Sequence, residues 1–203
     1  MISKPEDRFI KIVTEKYAVL DFLEFPNVGK NVELDLGCGS GSFTTQLAGR
    51  HPERLILAAD VMIGRLRKLQ RRNQRENIAN VVPLRVEARH LIGYMLPDNS
   101  IDRLHILCPD PWPKDKHRGN RLLCANFMAR LHNVLKKEGQ FHFSSDDRQY
   151  LEIVRRVVAA SGLFQDEDVL PVDIADIKSD FEKRWNNQDK AVTHCLWKAK
   201  NSD

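Results

Sequence analysis

Residues 34–41 read Leu34-Asp35-Leu36-Gly37-Cys38-Gly39-Ser40-Gly41, and the fold turns on what flanks them. Behind this octapeptide lies an apolar run that begins near Asn31, and ahead of it Ser42 opens an amphipathic stretch to Arg50. The glycines therefore sit where a strand becomes a helix, in the pattern G-x-G-x-G, and glycine lets backbone approach a ligand closely. A dinucleotide fingerprint, G-x-G-x-x-G, requires glycine at position 42, where this chain has Ser42. Asp35, two residues before the first glycine, is a poor neighbour for a pyrophosphate. A pyrophosphate site is therefore disfavoured at this turn.

Outward from the glycine turn, short apolar runs alternate with amphipathic stretches, the pattern of an α/β fold with a mostly parallel sheet and helices on both faces. Strands are expected near 31–36, 54–59, 81–86, 101–108, 139–145 and 190–198, and helices near 6–24, 42–50, 62–77, 120–136 and 147–161. Residues 109–119 and 171–189 combine Pro, Gly, Asn and charge with weak periodicity and read as functional loops. The first follows a buried-looking strand, so it should emerge at the carboxyl edge of the sheet, where open α/β folds bind ligands. At 203 residues and 42% hydrophobic content the chain reads as a helical segment over 1–29 and one domain over 30–203.

The longest apolar runs, such as Leu55-Ile56-Leu57-Ala58-Ala59, fall far short of the roughly 20 residues of a membrane span. The N-terminus lacks the basic start and apolar stretch of a signal peptide, which makes a cytoplasmic protein the expectation. Cys38, Cys108, Cys124 and Cys195 are scattered without a C-x-x-C pair and read as reduced thiols. The seven histidines show no metal-binding spacing, and packing is their expected role. Net charge is only +4, yet Arg65–Arg75 (RLRKLQRRNQR) holds six cations and no acid. At about 100° per residue, Met62, Leu66 and Leu69 fall on one side of that helix and Arg67, Lys68, Arg71, Arg72 and Arg75 on the other. That face is either a solvated surface or a phosphate-binding one.

Three acids stand at the ends of the first three strands. Asp35 precedes the glycines, Asp60 closes the second strand, and Glu87 follows the third. Together with Gly37, Gly39 and Gly41 these residues resemble the cofactor site of class I S-adenosylmethionine-dependent methyltransferases. In that family the acid matching Asp60 holds the ribose hydroxyls and the one matching Glu87 faces the adenine amino group. Capping of the next helix is the alternative reading of Asp60.

After the fourth strand comes Cys108-Pro109-Asp110-Pro111-Trp112-Pro113-Lys114-Asp115-Lys116-His117-Arg118, where three prolines stiffen a carboxylate, an indole and several cations. Trp112 can stack on a base or merely cover the core, and the cations can take phosphates. The stretch is similar to the P-D-P-W-P-K signature of the bacterial tRNA (guanine-N7-)-methyltransferase family, often called TrmB. Ser144-Ser145-Asp146-Asp147 and Tyr150 resemble that family's Thr-Asp motif, and Ser179-Asp180-Phe181-Glu182 its T-x-F-E motif. The resemblance covers about 30–198 and implies a Rossmann-like class I methyltransferase domain using S-adenosyl-L-methionine on tRNA. It implies that Asp35, Asp60, Glu87 and Asp110 line the methyl-donor site and that Asp110 is catalytic. Lys114, Asp146, Ser179, Asp180, Phe181 and Glu182 would bind substrate. Asp35 and Asp60 stand where the family has Glu, Glu87 where it has Asp, and Ser179 where it has Thr.

Guanine N7 has an in-plane lone pair and no proton, so methyl transfer to it needs positioning rather than a general base. A carboxylate such as Asp110 would stabilise the positive charge that grows on the ring. An adenine or cytosine amino-group methyltransferase is disfavoured, because Pro109 occupies the position that must accept from the amino group. A small-molecule methyltransferase, a catalytically silent tRNA-binding relative and a dinucleotide oxidoreductase are the other readings. Oligomeric state, monomer or homodimer, stays open.

Overall fold

The computed structural model describes residues 10–12, 31–112, 121–188 and 190–201. Among these, eight strands form one sheet: β1 Lys11–Ile12, β2 Val32–Leu36, β3 Leu55–Asp60, β4 Val81–Arg85, β5 Ile101–Leu107, β6 Leu135–Ser145, β7 Phe164–Glu167 and β8 Thr193–Ala199. Their order is β1-β4-β3-β2-β5-β6-β8-β7. All neighbours from β1 to β6 are parallel, while β8 runs antiparallel to both β6 and β7. The helices are α1 Ser42–Arg50, α2 Ile63–Arg75, the short α3 Ala88–His90 continuing into a π-helical turn at Leu91–Met95, α4 Ala125–Val134, α5 Arg148–Ser161, α6 Val172–Ala175 and α7 Asp180–Asn186.

The chain winds outward from β2 through β3 to β4 and then returns to β5 on the other flank of β2. That reversal opens a crevice at the carboxyl ends of β2 and β5, the usual ligand position in doubly wound sheets.

Period-2 alternation gives the two faces different characters. Leu34, Leu57, Leu104, Phe141, Phe143 and Trp197 point into one large apolar core that α4, α5 and the π-turn cover. On the opposite face Phe43, Leu47 and Ala48 of α1 pack with Ile56, Ile174 and Ile177, while Leu66 and Leu69 of α2 pack on Ala58. Ile174 and Ile177 thus bring the C-terminal segment back across the chain onto α1.

That opposite face also buries ions. Glu33, 2% exposed, contacts Arg54, accepts from His105 Nε2 at 2.9 Å and lies 3.7 Å from Arg103. Asp173 of α6 joins through Arg54 at 2.7 Å and Arg103 at 3.1 Å. Burial alone pushes the Glu33 carboxyl up, but His105, Arg103 and Arg54 outweigh it and hold the group below its ordinary range. Asp173 is likewise held low against its burial by Arg54 and Arg103.

Several expectations shift. Lys11–Ile12, within the stretch read as a helix over 6–24, pair as a strand with Leu84 and Arg85; 1–9 and 13–30 lie outside the described residues. The helix expected to Lys136 stops at Val134, because Leu135 pairs with Ile101 and Lys136 reaches Asp102 at 2.7 Å, so tertiary pairing overrides local propensity. β7 is a short edge strand too polar to stand out in the sequence. The span 171–189 is not an irregular loop, since α6 and α7 lie in it. Met62 does not join Leu66 and Leu69 in the core but is 53% exposed, one residue before the helix begins.

Replacing Glu33 with Ala leaves Arg54 and Arg103 only Asp173 and strips the buried His105 of its acceptor, which should cost about 3–5 kcal/mol in urea unfolding at neutral pH. A carboxyl held low stabilises the fold above its unfolded pKa and loses that contribution as pH falls. The gap between wild type and Glu33→Ala should therefore narrow on acidification below about pH 4. A loss under about 1 kcal/mol, or a gap that widens in acid, contradicts this account.

Candidate functional site

At the crevice the glycine turn does what its sequence requires. Gly37, Gly39 and Gly41 all have positive φ, at 85°, 59° and 79°. Two of them serve different ends. A Cβ on Gly41 would stand 2.2 Å from Leu69 Cδ1, so this glycine lets the start of α1 press against α2. A Cβ on Gly39 would meet nothing within 4 Å and would project into open space. Gly37 and Gly39 are thus bare on the side where a ligand fits, not where the protein packs.

That space is a cleft of roughly 300 Å³, at the lower end of ligand-site volumes. Its lining includes Asp35, Gly37, Gly39, Ser179, Asp180 and Phe181 from the predicted site residues, with Phe43, Arg65, Lys68, Leu107 and Arg184 beside them. Asp35 is buried at the cleft floor and accepts from Thr44 Oγ1 at 2.6 Å; burial pushes its carboxyl up despite that bond. Burial raises the Cys38 thiol well above its ordinary value, and Asp35 and Asp60 raise it further. Cys38 is therefore a protonated packing thiol in a negative local field.

Asp60 accepts from Gly39 N at 3.2 Å, from Met62 N at 2.7 Å and from Arg65 at 3.3 Å. Its carboxylate ties the glycine turn to the entry of α2, whose N-cap is Met62 and not Asp60. Glu87 caps α3 by accepting from His90 N at 2.9 Å, and its side chain is 47% exposed. It does not line the cleft.

The segment expected to bind substrate folds over the glycine turn. Ser179 caps α7 by accepting from Glu182 N at 3.1 Å. Ser40 Oγ donates to Asp180, Arg72 lies 3.7 Å from Asp180, and Lys183 donates to Ser42 Oγ at 2.8 Å. Phe181 stays 42% exposed over the cleft, whereas Glu182 is buried. The glycine turn and the Ser179–Glu182 segment, about 140 positions apart in the chain, thus share one wall.

A second group gathers at the ends of β5 and β6. Cys108, at φ 47°, contacts Ser144 Oγ at 3.6 Å. Burial pushes its thiol up to about 11, with Asp146 and Glu182 adding to the rise. Both predicted acids are therefore near enough to act electrostatically on the residue that opens the Pro-Asp-Pro-Trp loop. Asp146 is exposed, while Asp147 is used up capping α5 through Tyr150 N at 2.9 Å. Asp110 is exposed, and Arg121 binds the carbonyls of Pro111 and Trp112 at 3.3 and 3.1 Å, pinning the loop's first half. Lys114 lies outside the described residues.

The residues fit the methyl donor implied for this fold. The bare faces of Gly37 and Gly39 admit a nucleoside, and the negative field of Asp35 and Asp60 suits a sulfonium and an ammonium group. Sequence reading missed Arg65, Lys68 and Arg184 as cleft residues and His194 as the partner of Glu182, 3.3 Å away. The basic run of α2 marked the first two, but nothing in the spacing marked His194.

Comparison with known proteins points the same way. The family model Methyltransf_4, described as "Putative methyltransferase", matches residues 29–195. A tRNA (guanine-N(7)-)-methyltransferase of Thermotoga maritima is 31% identical over 172 residues, covering 84% of this chain and 55% of that protein. One from Syntrophotalea carbinolica is 40% identical over 121 residues, covering 60% of this chain and 52% of its own. This chain spans about half the length of these curated relatives. Among solved structures, the 16S rRNA methyltransferase KamB superimposes with a TM-score of 0.66 at 16% identity, over 92% of this chain and 96% of that one.

The two glycines separate packing from ligand contact. Gly41→Ala should cost about 2–4 kcal/mol, from left-handed strain plus overpacking against Leu69. Gly39→Ala should cost about 1 kcal/mol in stability yet weaken S-adenosylhomocysteine binding by about tenfold or more. Equal stability losses, or unchanged binding in Gly39→Ala by calorimetry, would contradict the assignment.

Proposed function

The chain belongs to the tRNA (guanine-N7-)-methyltransferase family, of the class I methyltransferase fold, and we propose on that premise that it methylates N7 of a guanosine in the variable loop of tRNA. S-adenosyl-L-methionine would be the donor and the cytoplasm the place of action. The observation that carries the reading is the junction of the glycine cleft with the Ser179–Glu182 motif, through Ser40 and Asp180.

When bound, S-adenosylmethionine supplies an electrophilic methyl group on its sulfonium. Asp35, Gly37, Gly39 and Asp60 would hold it, with Asp60 exchanging one of its present donors for ribose hydroxyls, while Gly41 lets α1 close on α2 beside them. Asp110, on the loop after β5, would contact the donor and face the target ring. Its carboxylate stabilises positive charge that appears on the ring only as N7 is alkylated, which lowers the barrier rather than tightening the ground state. Asp146 and Glu182 are acceptors suited to the N1–H and amino group of guanine. Lys114 and the face of α2, with Lys68, Arg71 and Arg75 toward solvent, would take phosphates. The target guanine must leave its stack or lie in an open loop to reach the cleft, which favours structured RNA.

The test is incubation with unmodified tRNA transcripts and S-adenosylmethionine, then digestion and mass spectrometry for N7-methylguanosine. Product that falls by about 10²–10³ in rate in Asp110→Ala supports the reading. Methylation at another atom, or none despite donor binding, overturns it. If α2 contacts phosphates, tRNA affinity should fall steeply between low and moderate salt, with a slope that flattens in Arg71→Ala/Arg75→Ala. A salt-insensitive affinity removes α2 from the interface.

A further inference from the structure

The polar face of the sheet carries a line of side chains that the mechanism above does not use. Glu33, His105, His142 and His194 sit on β2, β5, β6 and β8, adjacent strands, and Glu182 of α7 ends the line. The contacts are continuous: Glu33 Oε2 to His105 Nε2 at 2.9 Å, His105 Nδ1 to His142 Nδ1 at 3.0 Å, His142 Nε2 to His194 Nδ1 at 2.9 Å, and His194 Nε2 to Glu182 Oε1 at 3.3 Å. His105 and His142 are at most 1% exposed, so water does not substitute for any middle link.

Counting protons constrains this chain. Each of the four contacts needs one hydrogen, and each neutral imidazole carries one N–H. Three neutral histidines supply three, and two ionised carboxylates supply none. With Glu33 ionised, His105 donates to it, His142 donates to His105, and His194 donates to His142. His194 Nε2 is then bare and meets a carboxylate oxygen lone pair to lone pair, a contact that would push Glu182 away. We propose that the Glu33–His105–His142–His194–Glu182 chain holds one proton beyond those of its neutral imidazoles, and that this proton positions Glu182 to accept from the target base. The second half of that statement rests on the function proposed above.

The surroundings set where it rests. Arg54 and Arg103 face Glu33 and keep it ionised, and Arg103 also disfavours charge on His142. Burial pushes His142 well below its ordinary value, with His105, His194 and Arg103 adding to that, so the middle ring is not where the charge rests. Asp35 interacts electrostatically with His105, and Asp146 and Glu182 both act on Cys108. Carboxylates thus flank both ends. Reversing the N–H of His142 and its neighbours moves the charge from one end to the other without breaking a contact. The proton is lost as pH rises, and the hold on Glu182 goes with it.

The positioning role of His142 and His194 is testable because removing the middle ring removes the need for the proton. In His142→Leu, neutral His105 satisfies Glu33 and neutral His194 satisfies Glu182. Wild-type kcat/KM for tRNA should fall through one inflection on the alkaline side between about pH 5 and 9, with donor affinity unchanged. His142→Leu should flatten that limb. A rate lowered equally at every pH, with the limb in place, indicates mere packing and overturns the proposal. Independently of activity, ring-nitrogen NMR of the wild-type protein should count four N–H protons on the three imidazoles and lose one as pH rises. Three throughout overturns the proposal even if His142→Leu does not fold. Absence of tRNA methylation with four protons counted would remove the functional reading and the positioning role with it, while leaving the proton itself established.

Discussion

One buried carboxylate, Glu33, organises the functional half of the molecule. A charge so far from water persists only when opposite charges and hydrogen bonds surround it, and Glu33 obtains these from Arg54, Arg103 and His105. Two routes lead from it to the C-terminal segment. Arg54 and Arg103 carry it to Asp173 at α6, and the imidazole line carries it to Glu182 at α7. Between these anchors, Ile174 and Ile177 bury apolar surface against α1. The segment that closes the glycine cleft is therefore held by ions at both ends and by packing between.

This arrangement divides the sheet by labour. One face is a continuous apolar core that supplies most of the favourable burial. The other trades some burial for a polar line that reaches the cleft. Such fixed contacts would suit the proposed reaction, whose demand is geometric, an in-line displacement with no proton to remove. The carboxyl ends of β2 and β5 border the cleft, and the line beneath runs to Glu182.

Much of the fold was legible because its cues are local. The glycine turn, the apolar runs of β2 and β3 and the basic amphipathic α2 each announce themselves within a few residues, and their alternation gives the α/β class though not the strand order. The glycine turn was legible from its own residues, but its junction with Ser179–Phe181 was not, since no spacing links Ser40 to Asp180. Glu87 shows the limit of reading an acid from its place after a strand: here it caps α3 and stands apart from the cleft. The histidine line was hidden for a different reason. Its members alternate with Leu104, Ile106, Phe141 and Phe143, so a face was readable, but only strand order sets His105 against His142 and His142 against His194. The ranges of α6 and α7 were masked by charge and Pro, which mimic a loop when the stabilising contacts are tertiary.

The central claim is that Glu33 fixes α6 and α7 over the cleft, and amide hydrogen exchange of Glu33→Gln tests it most directly. Protection should drop by about tenfold or more across 172–186 while the amides of β3, β5 and α5 keep theirs. A uniform loss of protection, or unchanged exchange in 172–186, would contradict the account.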